Sequence, residues 1–288
     1  MTARFIDAHI HLWDLNAPSN DYSWLLVKDD PLLGAMAEVQ IPLWDADRFA
    51  AESRHTRPEK VVHVQAAGPP GDPVAETAWL VGQHDKGGVP DAIVARVDLR
   101  AADSASVIAR HRECTDLVRG VRDMTTMGAL DDPAVPRGLA AVAEAGLSWE
   151  LACTWEQMPI ALALARAQPD LAIVVGHAGF PLARDEEYLR CWRAELRELA
   201  VAPNVHCKIS GLGMGDHGWT IDSWRPLILD CLEVFGAHRC MVGSNWPVDR
   251  LYASYDAVTS ALGQILGDLS PDERDAVLYT NAERFYSI

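Results

Sequence analysis

Basic residues are what this sequence is short of: 25 Lys and Arg stand against 41 Asp and Glu, a formal charge of −16. That imbalance excludes the basic face a nucleic-acid partner requires, and equally a docking site on an anionic membrane. It leaves a small-molecule partner, an anionic one included, because a few local Arg or Lys can reverse the field inside a pocket. CxxC pairs are missing too. The six cysteines, at 114, 153, 191, 207, 231 and 240, are scattered, which suits small buried hydrophobes better than disulfides or zinc ligands. No apolar run approaches the roughly 18 residues of a membrane span, and "MTARFIDAHI" lacks a basic, apolar leader. A cytoplasmic location is expected. There is no GxSxG elbow and no defensible Cys–His arrangement, so a serine- or cysteine-nucleophile hydrolase is disfavoured.

What is present is an alternation. Hydrophobic residues make up 49% of the 288 positions, enough for a substantial core. β-rich runs occur at 4–12, 60–67, 92–99, 117–123, 147–154, 171–179, 205–211 and 240–246. Stretches of helical spacing separate them, such as "DADRFAAESRH", "VAETAWLVGQHD", "PRGLAAVAEAG" and "EEYLRCWRAELRELA". Eight such strands point to a (β/α)8 TIM barrel in one domain, residues 1–288. The competing doubly wound sheet would need a GxGxxG after the first strand, and none follows it. Ser270 before Pro271 reads as the N-cap of an extra C-terminal helix. Residues 14–46 are too long for an ordinary βα loop. Tyr22, Trp24 and Trp44 suggest that this loop folds over the barrel mouth, or else that they anchor it to the outer helices.

Barrel enzymes place their chemistry at C-terminal strand ends. By strand parity His9 and His11 share a face with Asp7, leaving Ile6, Ala8 and Ile10 to pack on the helices. His177 shares parity with Ile173 and Val175 before a Gly-rich turn. Three imidazoles at one barrel mouth can converge on a metal ion. Ordinary hydrogen-bonded histidines are the plainer reading of each taken singly. Gln65, Arg122, Glu150 and Lys208 are further inward candidates. Arg122 suits bidentate pairing with a carboxylate or polarisation of a carbonyl, or a salt bridge in the mouth. Glu150 sits early in its strand and can simply pair with Lys208 or Arg122. The glycines of "GLGMGDHG" lack a P-loop lysine, and His217 there reads as an exposed or lid residue. His55, His84, His111 and His238 fall on helices and read as structural; His63 and His206 stay open.

The motifs "DAHIHLWD", "HAGFP", "CKISGL", "MVGSNWPV" and "NAERFY" together resemble the amidohydrolase superfamily, from residue 4 to the end. More narrowly they are similar to the branch of metal-dependent TIM-barrel hydrolases containing sugar-lactone lactonases and 2-pyrone-4,6-dicarboxylate lactonase. The resemblance implies His9, His11 and His177 as catalytic residues and metal ligands. It implies Arg122 as the group holding a substrate carboxylate or carbonyl oxygen. Asn245 falls where the superfamily typically carries Asp, a metal ligand or the base for the attacking water. An amide cannot take up that proton, and three explanations compete: an engineered substitution that traps a substrate, a native Asn with the base supplied by a metal-bound hydroxide or by Glu150, Asp249 or Asp123, or a chain that has left hydrolysis altogether.

The expected activity is therefore activated-water hydrolysis of a carboxylated lactone, of a sugar acid or of an aromatic-degradation intermediate, oriented by Arg122, Gln65, Lys208 and Trp24. One divalent metal, zinc first, would sit on the three histidines, with metal-independent catalysis as the alternative. A metal-dependent decarboxylase and a non-catalytic binding protein are the competing readings. A homo-oligomer is compatible with the sequence.

Overall fold

The computed structural model describes residues 4–288; residues 1–3 of the expected domain lie outside the described residues. Eight parallel strands form one sheet in sequence order. They are β1 (Ile6–Ile10), β2 (Lys60–Val64), β3 (Ala92–Arg96), β4 (Val118–Arg122), β5 (Ser148–Leu151), β6 (Ile173–Val175), β7 (Val205–Ile209) and β8 (Cys240–Val242). The sheet closes on itself at the mouth, where Asn245 N–H donates to His9 O at 2.8 Å and His11 N–H to Trp246 O at 2.7 Å. The result is the expected (β/α)8 barrel.

The outer layer is α1 (Ala46–Glu52), α2 (Ala75–Gly87), α3 (Ser104–Cys114), α4 (Val135–Glu144), α5 (Met158–Ala167), α6 (Glu186–Leu199), α7 (Ile221–Phe235) and α8 (Tyr255–Ile265). Several starts are capped as their sequences dictate. Asp45, Asp185 and Ser254 each accept a hydrogen bond from the third residue on, and Thr220 forms a reciprocal box with Ser223. Helix α3 buries only Ser104, Ile108 and His111 and so carries little apolar periodicity. Among the described residues no helix is long and apolar enough to cross a membrane.

After α8 the chain forms α9 (Pro271–Asp275), with Ser270 as its reciprocal cap, then a wider turn and α10 (Asn281–Tyr286). This segment stops the bottom of the barrel. Tyr279, Ala282 and Tyr286 cluster with Ile6, Ala8, Val62, Val64, Val94, Val174 and Met241 from the strands. That cluster corrects the parity assignment of β1. Ile6 and Ala8 fill the barrel interior, whereas Asp7 turns outward to accept from Tyr255 Oη on α8 at 2.9 Å. The pairing of β1 with β2 shifts register between Asp7 and Ile10, and this irregularity lets His9 point inward next to Ala8.

The long connection is folded. At its base Trp13–Asp14 pairs antiparallel with Leu43–Trp44, and Asp29–Asp30 pairs with Gly34–Ala35 at its tip. Both expectations for its aromatics hold, for different residues. Trp44 packs in the core and Tyr22 Oη donates to Glu76 on α2, while Trp24 turns to the mouth and donates Nε1–H to Ala66 O at 2.8 Å. His217 clasps the loop from the far side, its Nε2 lying 2.9 Å from Leu32 O and its ring stacked on Tyr252.

Candidate active site

A cavity of about 420 Å³ opens at the C-terminal ends of the strands. His11, Gln65, Arg96, Arg122, Asp123, His177 and Asn245 contribute polar wall, and Trp24, Leu32, Leu33, Met124, Met127, Phe180, Met214 and Val248 apolar wall. The three expected histidines are brought together. His9 and His11 ring centroids are 5.0 Å apart, and those of His9 and His177 4.4 Å. Burial drives the pKa of each well below the usual histidine value, with neighbouring cationic groups reinforcing it, so all three stand neutral.

His177 arrives by a route that strand parity does not describe. β6 ends at Val175, and His177 (φ 51°), Ala178 (φ 54°) and Phe180 (φ 49°) then take left-handed backbone. Such conformations cost about 1–2 kcal/mol each for residues with a Cβ, and they cluster where a site needs a side chain re-aimed. Ile173 and Val175, whose parity His177 shares, pack in the outer core, so regular strand would have turned the imidazole away. His177 Nδ1 lies 2.9 Å from Ser210 Oγ. The approach is tight: a Cβ on Gly211 would sit 2.5 Å from that nitrogen.

Asn245 also has positive φ (58°), a region in which Asn is enriched among residues that carry a side chain. Its amide is fixed by Nδ2–H donating to Asp249 Oδ1 at 2.8 Å. The carbonyl Oδ1 therefore faces His11 Nε2, at 3.3 Å. His11 Nδ1 sits 2.7 Å from Val64 O, an acceptor, so Nδ1 carries the ring proton. Two lone pairs then face one another. A hydrogen-bond donor with two hydrogens, such as water, or a cation can satisfy both from the side, at the apex above the 3.3 Å gap. Asp249 lies behind the amide and off the cavity wall; burial pushes its carboxyl up to about 7.

His9 lies beneath. Its Nδ1 is 3.0 Å from Glu150 Oε1, off line for a hydrogen bond, and its Nε2 has no partner. A buried, unpartnered imidazole nitrogen beside two opposed lone pairs is donor chemistry that suits a divalent cation. As placed, however, no group of three or more His, Cys, Asp or Glu among the described residues could hold a metal ion. The donors match a cation in kind, and their nitrogens do not yet converge.

Arg122 is clamped: its Nε–H donates to Gln65 Oε1 at 3.0 Å and its Nη2 to Gln65 O, while Nη1 makes no hydrogen bond among the described residues. Burial lowers its pKa, and Glu150 opposes that shift. Gln65 thus orients the guanidinium as well as lining the cavity. Two expectations need correction. Lys208, expected to hold substrate, is fully buried below the cavity with Nζ 2.6 Å from Glu150 Oε2. Glu150, a candidate base, is committed to that pair and receives Tyr286 Oη at 3.4 Å. Asp123 lines the cavity, but its oxygens accept from Leu99 N–H and from Thr125 N–H and Oγ–H.

Among the histidines left open, His63 accepts from Leu12 N–H on the outer face, and His206 packs on Phe285 at the barrel bottom. The sequence reading missed Arg96, which is paired in register with Arg122 and leaves its Nε without a partner. Its position at the end of "AIVARVDL" was the available signal.

The amidohydrolase family model matches residues 6–288. An uncharacterized protein of Sinorhizobium fredii is 37% identical, the alignment covering 98% of both chains. The L-fucono-1,5-lactonase of Burkholderia ambifaria is 33% identical over all of this chain and 97% of its own. A solved amidohydrolase of Burkholderia multivorans with bound zinc superposes with a TM-score of 0.85 at 30% identity, covering 99% of this chain and 100% of that one.

Proposed function

Because the chain belongs to the amidohydrolase family, we propose that it is a hydrolase opening a lactone ring by attack of an activated water. The observation that carries this reading is the opposition of His11 Nε2 and Asn245 Oδ1 across 3.3 Å, in the cavity that also presents Arg122 and His177. Water donating to both acceptors turns an oxygen lone pair toward the ester carbon. As that oxygen bonds to the carbonyl carbon, His11 Nε2 takes the proton. Burial keeps this imidazole neutral, so its Nε2 lone pair is free to accept, at the cost of a weakened base.

The carbonyl oxygen gains negative charge and is met by the free Nη1 of Arg122, whose other nitrogens Gln65 holds in place. His177 Nδ1 lies 2.9 Å from Ser210 Oγ; in the tautomer in which that hydroxyl donates, the ring proton resides on Nε2 and offers a second donor. Collapse of the tetrahedral species breaks the ring C–O bond, and the proton on His11 passes to the departing alkoxide. The product is a hydroxy acid, which ionises at neutral pH and releases one proton. Asn245 thus positions water instead of deprotonating it, which answers why an amide can stand where a base is usual.

A divalent cation, zinc in the solved Burkholderia multivorans relative, would be held by His9, His11 and His177 only if their nitrogens moved to converge; it would occupy the His11 Nε2 lone pair, require an unprotonated nitrogen on His177, and supply acidification of water in place of the His11 base. The relative named L-fucono-1,5-lactonase supports the reaction class at 33% identity. The test is proton release from a lactone panel with metal content determined. Arg122→Ala and His177→Ala are each expected to lower kcat/KM by about 10²–10³-fold. Unchanged rates in both would refute these assignments.

A further inference from the structure

We infer that the cavity is built for a lactone with an apolar body, an alkyl or aryl substituent on the ring, and not for a polyhydroxylated sugar lactone. This deepens the lactonase reading and rests on it. The inference comes from which cavity groups still have hydrogen-bonding capacity. Asp123 is filled by backbone and hydroxyl donors from Leu99 and Thr125. Asp30 Oδ1 accepts from the backbone N–H groups of Leu32 and Leu33, both at 2.8 Å. Gln65 gives its Nε2 to Ala67 O and its Oε1 to Arg122. Trp24 has given its indole N–H to Ala66 O.

Among the described residues, the side-chain groups left over at the strand ends are Arg122 Nη1, Arg96 Nε, His177 Nε2 and the facing pair His11 Nε2 and Asn245 Oδ1, while Asp30 keeps Oδ2 free on the long loop. They match one carbonyl, one attacking water and one adjacent polar atom. Asp98, with spare acceptor capacity, stands solvated at the rim.

The body of the cavity offers carbon instead. Leu33, Met127, Phe180, Met214 and Val248 come from five different βα connections and face the same space. A sugar 1,5-lactone bears three ring hydroxyls, each able to make two or more hydrogen bonds. Each one stripped of water against such a wall costs roughly tenfold or more in binding. Each methylene of an apolar substituent gains about threefold or more by leaving water. The two effects act in the same direction.

The experiment compares kcat/KM for δ-nonalactone and L-fucono-1,5-lactone, with the parent protein and Met127→Gln. The expected result is at least a tenfold preference for δ-nonalactone in the parent, narrowed by Met127→Gln, which adds a donor and an acceptor to the wall. Preference for the sugar lactone, or equal rates on the two, would overturn the inference and leave the lactonase reading standing. Hydrolysis of neither, nor of any lactone in the panel above, would remove both.

Discussion

Replacing Asn245 by Asp changes one atom type and should expose the electrostatics behind the site. The Asn245 amide donates Nδ2–H to Asp249 Oδ1 at 2.8 Å, and Asp249 is fully buried with Oδ2 unpartnered. The substitution removes a hydrogen bond to a charged group, worth about 1.5–3 kcal/mol. It also sets two carboxylates in contact, so that one must stay protonated at neutral pH. Already, burial holds the Asp249 carboxyl near 7, against 3.8 in its ordinary state. A folded-state pKa above the unfolded one adds stability that is fully present below the unfolded pKa and lost as pH rises through the folded pKa. A second carboxyl strengthens that dependence. The variant should therefore be destabilised by about 2–4 kcal/mol at pH 8 and by much less at pH 5. For a domain of this size that is a Tm drop of roughly 3–7 °C at pH 8. Thermal unfolding at the two pH values measures it. An equal drop at both, or none at pH 8, would refute the contact.

Lys208→Met leaves the buried Glu150 carboxylate without the ammonium now 2.6 Å away, and should cost about 3–5 kcal/mol in urea unfolding. Adding Glu150→Gln should recover most of that loss; no recovery would mean the pair is not the cause. Gly211→Ala introduces a Cβ 2.5 Å from His177 Nδ1 at a position with φ +59°. It should lower stability by about 2–4 kcal/mol and reduce kcat by about 10²-fold by moving His177; full activity would show that the imidazole's placement is immaterial.

The barrel was legible because its strands are apolar runs separated by helical periodicity, and eight of them admit few closures. Strand ends likewise exposed His11, Arg122 and Asn245. Parity failed where the backbone stops being regular. The register shift between Asp7 and Ile10 turns His9 inward beside Ala8, so parity counted back from His9 places Ile6, Ala8 and Asp7 on the wrong faces. His177 reached the site only because three non-glycine residues after β6 adopt positive φ. Neither feature leaves a periodic trace, since each is set by long-range packing. Lys208 had the right parity and the wrong depth: it points into the barrel, but the Glu150 carboxylate holds it below the cavity floor. Depth depends on how the strands stagger, which pattern alone does not convey. The Asn245–Asp249 pair escaped notice as a unit because the change from carboxylate to amide was read at one position, while its hydrogen-bond partner lies one turn further along.

Hydrolysis by water activated between His11 and Asn245 is tested most directly by isotope transfer. A lactone the protein opens is incubated with it in ¹⁸O-labelled water, and the ring-opened acid is analysed by mass spectrometry. The expected outcome is a single ¹⁸O atom in the carboxylate per turnover, with one proton released, and loss of both in His11→Ala. Release of carbon dioxide without solvent oxygen, or full turnover in His11→Ala, would contradict the assignment.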